Sequence, residues 1–153
     1  MIDITFTIDK KAVYEEVAQT TSYIGAKMDD ENAYDRIFTT DEDQSMLERF
    51  WNESKNTVCN SVKKMLTSET ETDGVFSLSL ELSASFDEAL TESMQRSLFS
   101  FFVMNITAKW NTFTNKQEAT GYATEAATYL EDVLRKAYFK KKPMRPTYDN
   151  DNN

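Results

Sequence analysis

This chain has 153 residues and no histidine, and few of its residue combinations could catalyse a reaction or bind a metal ion. Without an imidazole there is no Ser-His-Asp triad, no Cys-His pair and no histidine metal site. The chain has three glycines, far below ordinary usage, so a glycine-rich loop that cradles phosphate is not expected. The composition therefore argues against the usual hydrolase, metalloenzyme and nucleotide-binding designs.

Two short motifs resemble catalytic or metal-binding arrangements. Ser61 and Lys64 have the S-x-x-K spacing that can set a lysine amine beside a serine hydroxyl, but the companion S-D-N and K-T-G elements are missing. Asp41, Glu42 and Asp43 form an acidic cluster. Consecutive helical positions point in different directions, and the positive end of a helix explains these acids without a metal. We therefore predict no catalytic residue, no metal ligand, no cofactor and no enzymatic activity.

The single cysteine, Cys59, is predicted to lie within or beside the apolar face of a helix. A lone cysteine cannot form an internal disulfide, and no histidine exists to activate it as a nucleophile. We expect Cys59 to behave as a small buried hydrophobic residue.

The charge of the chain is acidic and unevenly distributed. Lys and Arg number 17 and Asp and Glu number 26, which gives a net charge of −9. This excess argues against a protein whose whole surface grips nucleic acid, because phosphate binding requires bases. Residues 29–53 hold nine acids and two bases, whereas residues 135–145 hold six bases and no acid. Such asymmetry is typical of solvated surface, and it would also let the tail of one copy meet the acidic region of another.

The chain shows no targeting or membrane signal. No run of 18 apolar residues exists, so no membrane-spanning segment is expected. The first residues alternate and carry acid, unlike a signal peptide. Reducing, cytoplasmic surroundings are the expectation.

Hydrophobic spacing predicts an α+β, mainly α, single domain over residues 1–139 and a tail over residues 140–153. The four expected helices, packed as a bundle, lie at roughly 10–25, 40–67, 87–110 and 116–139. The connecting segments are expected to be a loop at 27–38, a polar turn at 67–74 and a helix break at 111–115.

Alternating apolar residues predict a strand at 2–8 and a long strand or hairpin arm at 75–86. At ~3.3 Å per residue the second strand would extend about 35 Å, longer than the first can pair. Part of its edge should then be exposed, bent, or paired with a strand of another copy. Its candidate subunit-interface residues are Phe76, Leu78, Leu80 and Leu82.

The basic tail is a second candidate interface. Its bases could hold phosphate or an acidic partner, and the spacing of Pro143 and Pro146 favours an extended segment. The alternative is a solvated tail whose lysines suit the negative C-terminal end of the preceding helix. The candidate partner-binding residues are Lys140, Lys141, Lys142 and Arg145.

The order of elements resembles a known family. A helix opened by Thr40, Asp41, Glu42 and Asp43 is followed by an alternating segment, an apolar helix through residues 98–110 and a closing helix that ends in bases. Over residues 40–142 this resembles the head–tail connector (adaptor) proteins of tailed bacteriophages and prophages. Those proteins are small, mainly helical subunits that form a ring beneath the portal.

The resemblance implies a structural virion protein without catalysis. Its homo-oligomeric ring would join the portal protein to tail proteins, and DNA would pass through it without sequence-specific binding. An acidic lumen would keep the duplex from adhering. The alternative function is a cytoplasmic helical protein-binding module that presents the basic tail to an acidic partner.

Overall fold

The computed structural model describes residues 1–27 and 41–143, with side chains described at 1–21 and 43–143. Seven elements follow in chain order: β1 (Ile2–Asp9), α1 (Lys10–Lys27), α2 (Asp41–Ser61), β2 (Leu66–Thr72), β3 (Val75–Leu82), α3 (Thr91–Thr114) and α4 (Lys116–Ala137). A short 3-10 turn, Glu88–Leu90, leads into α3. The α+β, mainly α class is confirmed. The predicted loop at 27–38 lies outside the described residues, except for its first position, 27.

Alternation of apolar and polar residues builds an antiparallel sheet in the order β1-β3-β2. β1 pairs with β3 along its whole length, from Ile2 opposite Leu82 to Asp9 opposite Val75. The apolar residues of both strands face the core, apart from the exposed Val75, and the polar residues between them face outward. Period two in the sequence therefore predicts both strands and their buried face.

The predicted turn at 67–74 is wrong over most of its length. The segment forms strand β2, and the turn itself contains two residues, Asp73 and Gly74. Both have positive φ, 52° and 78°, as type I′ hairpin turns require. β2 lacks the alternation of apolar and polar residues that predicts a strand, because all of its residues after Leu66 are exposed. Helix α2 accordingly ends at Ser61, before the predicted limit at 67.

β3 is the central strand, so the expectation of an edge that is exposed or paired with a strand of another copy is also wrong. β1 pairs along one edge and β2 along the other, and regular pairing ends at Leu82. Its four candidate interface residues lie in the core at 0–3% exposure: Phe76, Leu78, Leu80 and Leu82. They cannot contact another subunit while this fold is intact.

Helix α3 is the centre of the core. It is apolar almost all round, and it packs against α1, α2, α4 and β1. Phe102 is fully buried, with its ring centroid 4.9 Å from that of Trp51 on α2 and 6.0 Å from that of Phe76 on β3. The predicted break at 111–115 is limited to Asn115, since α3 continues to Thr114 and α4 begins at Lys116.

Side-chain contacts fix the directions of the helices. Ser97 on α3 donates to Asp132 on α4 at 2.7 Å, and Asn105 on α3 donates to Ser54 on α2 at 2.8 Å. Phe113, near the end of α3, stacks on Phe50 of α2. α2 and α4 therefore both run antiparallel to α3. Their C-terminal ends lie at the N-terminal end of α3.

Two glycine substitutions should change stability in opposite directions. Gly74 has φ +78° with open space around it, so Gly74→Ala should cost about 1 kcal/mol through backbone strain alone. Gly121 lies within helix α4, also in open space, so Gly121→Ala should stabilise by about 0.5–1 kcal/mol. Urea unfolding followed by circular dichroism measures both. Equal signs for the two variants would contradict the assigned hairpin and helix.

Candidate functional site

Asp132 fixes the C-terminal end of α4 to the start of α3. Its carboxylate accepts hydrogen bonds from Ser97 and Lys136 at 2.7 Å each, and from Arg135 at 3.0 Å. Lys136 also donates to Ser93, one turn before Ser97. Burial opposes ionisation of Asp132, but the hydrogen bonds from Lys136 and Ser97 outweigh it and lower its pKa. The segment that follows α4 therefore starts from a fixed position.

The chain beyond α4 remains attached to the domain. The amide of Asp87 donates to the carbonyl of Phe139 at 3.3 Å, and the amide of Lys141 donates to the carbonyl of Ser85 at 2.7 Å. Between these bonds, Phe86 and Lys140 form an antiparallel bridge. The domain thus includes the chain as far as Lys141, two residues past the predicted boundary at 139.

Apolar and basic side chains are exposed together beside this bridge. Met1 is 83% exposed, Tyr138 63% and Phe139 45%. They line a cavity of about 250 Å³, whose wall also includes Met65 and Lys140. We call this surface the C-terminal patch; its members are Met1, Tyr138, Phe139, Lys140, Lys141 and Lys142. Exposed aromatic residues rimmed by charge are typical of protein-binding surfaces.

The patch combines predicted and unpredicted residues. Lys140, Lys141 and Lys142 are exposed and adjacent, whereas Arg145 lies outside the described residues. The sequence did not predict that Met1, Tyr138 and Phe139 belong to this surface. The two aromatic residues immediately precede the lysines in the chain, but their exposure follows from the end of α4 after the buried Ala137, which the sequence does not show.

A second polar cluster surrounds the buried Trp51. Its indole donates to Glu71 of β2 at 3.0 Å, and Lys55 pairs with the same carboxylate. Tyr14 donates to Glu48 at 3.1 Å, and burial followed by the charge of Glu48 raises the tyrosine pKa well above 10. These groups satisfy one another, so the cluster joins α1, α2 and β2 structurally and offers no free acid or base.

Cys59 lies on α2 with its thiol donating to Glu69 of β2. Burial, and then the hydrogen bond to Glu69, raise its pKa to about 12. The residue is half-buried, and its neighbours favour the neutral thiol over the nucleophilic thiolate.

Among the side chains that are described, at positions 1–21 and 43–143, no group of three acidic or cysteine residues could hold a metal ion. Within residues 1–27 and 41–143, no helix is long and apolar enough to cross a membrane. Comparisons with protein families, with curated proteins and with solved structures found no match to this chain.

The thiol of Cys59 should react slowly while the protein is folded. A pKa of about 12, against an ordinary 9.0, leaves the thiol almost entirely in its neutral form at pH 7.5. Iodoacetamide labelling followed by mass spectrometry should be at least roughly 100-fold slower in the native protein than in urea. Glu69→Gln should accelerate native labelling, because it removes the negative charge beside the thiol. Equal rates in native and unfolded wild type would refute this environment.

Asp132→Asn should destabilise the protein by about 1–2 kcal/mol at pH 7, since three donors lose an ionised acceptor. The folded pKa lies below the ordinary 3.8, so this stabilisation is present above pH 4 and is lost as pH falls through the lowered value. The difference from wild type should therefore shrink between pH 4 and pH 2. Asp3→Asn, on the exposed face of β1, is the matched control and should change stability by less than about 0.5 kcal/mol. Urea unfolding at each pH measures this; a constant difference would contradict the assignment.

Proposed function

We propose that this chain is a structural virion subunit: a ring-forming head–tail connector that joins the portal to the tail and carries out no catalysis. The observation that carries the proposal is the C-terminal patch, where exposed aromatic residues and three lysines stand on an ordered backbone. Such a surface suits contact with another protein. The order of elements from α2 through the hairpin to α3 and α4 is the order on which the family resemblance rests.

The chemistry of the described surface supports a scaffold over an enzyme. The acids around Trp51 are each paired with a donor, and the single thiol is held in its neutral form. Asp132 is likewise occupied by three donors. Convergent groups with free lone pairs and matched pKa values, which acid–base catalysis needs, are not found in these clusters.

The outer face of the sheet supports passage of DNA without binding. Two rows of hydroxyl side chains cross all three strands, one through Thr5 and Ser79 and the other through Thr7 and Ser77, each row ending on β2. The hydroxyls of Thr5 and Ser79 are bonded to each other at 2.9 Å. A face of this kind has no cation for phosphate, so it suits the wall of a channel.

The alternative function, a helical module that presents a basic surface to an acidic partner, draws support from the same patch. Because residues 139 and 141 are bonded to residues 87 and 85, the lysines are held in position before a partner arrives. Preorganisation of this kind reduces the entropy cost of binding.

Co-expression with the portal and tail proteins encoded by neighbouring genes tests the proposal. We expect the chain to co-purify with a portal or tail protein and to appear as a ring with a central channel in negative-stain images. Lys140→Ser/Lys141→Ser/Lys142→Ser should weaken this association, since it removes the bases while leaving the bridge to Phe86 intact.

Three outcomes would contradict the connector function. The first is a chain that never assembles with any portal or tail protein. The second is a metabolic operon around its gene. The third is capture of an acidic cytoplasmic protein that depends on the three lysines, without ring formation, which would favour the binding module instead.

A further inference from the structure

Strand β2 lies at the edge of the sheet, with β3 on one side of it only. Thr72 opposite Val75 closes the two-residue turn, so this pair exchanges backbone hydrogen bonds, and bonded pairs then alternate along the ladder. Thr70 accordingly directs its amide and carbonyl groups to β3, whereas Glu69 and Glu71 direct theirs away from the sheet. In the part of the chain that the structure describes, no group bonds to these outward amides and carbonyls. The outer edge of β2 therefore offers free donors and acceptors in its middle.

The opposite edge of the sheet, formed by β1, is protected. The amide of Thr7 donates to the side-chain oxygen of Gln95 on α3 at 3.1 Å, and the side-chain amide of Gln95 donates back to the carbonyl of Thr7. A side chain that mimics a neighbouring strand in this way keeps another strand from pairing there. Of the two outer edges, the edge of β2 is thus the one that can accept a further strand.

The side chains of Glu69 and Glu71 lie on the α2 side of β2. Glu71 accepts a hydrogen bond from Trp51 and pairs with Lys55. Glu69 accepts from the neutral thiol of Cys59, and no lysine or arginine among the described side chains pairs with it. The middle of the edge therefore has two carboxylates and a single cation, which is already paired.

A cavity of about 110 Å³ lies beside these carboxylates, between β2 and α2. Besides the two glutamates it is lined by Lys55, Asn56, Thr70 and Phe76. The charges at the two ends of β2 are mixed. Lysines at 63 and 64 precede the strand, and the cavity around the turn at its other end has acids and bases together: Asp9, Lys10, Lys11, Glu15 and Asp73. Selection of a partner by charge therefore depends on the middle of the edge, where the acids are in excess.

We propose that the outer edge of β2 binds an extended strand of another protein, in which lysine or arginine alternates with serine or threonine. Backbone pairing with Glu69 and Glu71 would hold the strand. Its basic side chains would then lie on the α2 side, next to the two carboxylates. Its hydroxyl side chains would lie on the other face, next to the exposed Ser68, Thr70 and Thr72. The inference goes beyond the proposed function, because none of the residues of this edge belongs to the C-terminal patch.

A second copy of β2 would be a poorer occupant of this edge. Two antiparallel copies paired about Thr70 would set Glu69 of each copy opposite Glu71 of the other, and like charges directly opposite destabilise a sheet. The basic segment at the end of this chain is also unsuitable, because its lysines at 140–142 are consecutive and a proline follows them at 143. The acids of β2 thus oppose self-pairing and favour a basic strand.

Hydrogen exchange of the full chain tests the backbone pairing. The probe is a short peptide of alternating threonine and lysine, titrated to millimolar concentration and followed by nuclear magnetic resonance. We expect exchange of the amides of Glu69 and Glu71 to slow roughly tenfold or more, because they gain hydrogen-bond partners. The amides of Thr70 and Thr72 already bond to β3, so their exchange should change little.

Two matched controls test the selection by charge and by period. A peptide of the same composition with its lysines grouped together should bind several-fold more weakly, since only alternation places every lysine on one face. Glu69→Lys should weaken binding of the alternating peptide roughly tenfold and favour a peptide of alternating threonine and glutamate. Glu125→Lys makes the same charge change at an exposed position of α4 and should leave binding within about twofold of wild type. Circular dichroism confirms that each variant is folded.

Four outcomes overturn the inference. The alternating peptide does not bind at millimolar concentration, it binds without slowing exchange at Glu69 and Glu71, or the grouped peptide binds equally well. The fourth is slowed exchange at the same two amides without peptide as the protein concentration rises, which would assign the edge to a second copy. None of these outcomes bears on co-purification with portal or tail proteins, so the connector function is judged separately.

Discussion

The burial of helix α3 between Leu98 and Trp110, where no residue is exposed, is the constraint on which the rest of the structure depends. Its aromatic and aliphatic side chains from Met94 to Ile106, together with Trp110, would be costly to leave in water. The sheet covers it on one side, α1 and α2 cover it on others, and α4 returns along it as an antiparallel partner. Phe102 at its middle contacts Trp51 and Phe76, and so joins helix and sheet. A chain with little glycine and proline suits these long, uninterrupted helices.

The same constraint sets where functional surface is left. The antiparallel order of α2, α3 and α4 brings the end of α4 back to the start of α3, where Asp132 holds it. The chain then runs past the core and pairs briefly with residues 85–87. Tyr138 and Phe139 have no core left to enter, so they remain exposed beside the lysines. The proposed binding surface is in this sense a consequence of where the helix pair ends.

Hydrophobic periodicity predicted most of the fold. β1, β3 and the existence of the four helices follow from spacing, because apolar residues recur every second residue in the strands and every three or four residues in the helices. β2 did not, since a strand exposed on both faces has no such pattern. Asp73 and Gly74 were the available signal, as an Asp-Gly pair between two extended segments favours a two-residue hairpin turn. Because β2 was not predicted, part of the edge of β3 was expected to be exposed, bent or paired with another copy, whereas β2 pairs along that edge.

The candidate site was only half predictable for a related reason. Charge can be read from the sequence, so Lys140, Lys141 and Lys142 were predicted as partner-binding residues. The exposure of an aromatic residue cannot be read from the sequence. Tyr138 and Phe139 have the composition of core residues, and their exposure depends on tertiary packing at the end of α4. Met1 joins them through sheet pairing, since β1 begins with Ile2 opposite Leu82, and the residue before the strand, Met1, lines the same cavity.

Cryo-electron microscopy of the intact particle, with this chain located by its α3–α4 hairpin, tests the central claim most directly. We predict a ring of these subunits between portal and tail, with Tyr138 and Phe139 of each subunit buried against another protein of the assembly. Absence of the chain from the particle would contradict the connector function. A ring in which the C-terminal patch faces solvent at every subunit would contradict the protein-binding role of that patch.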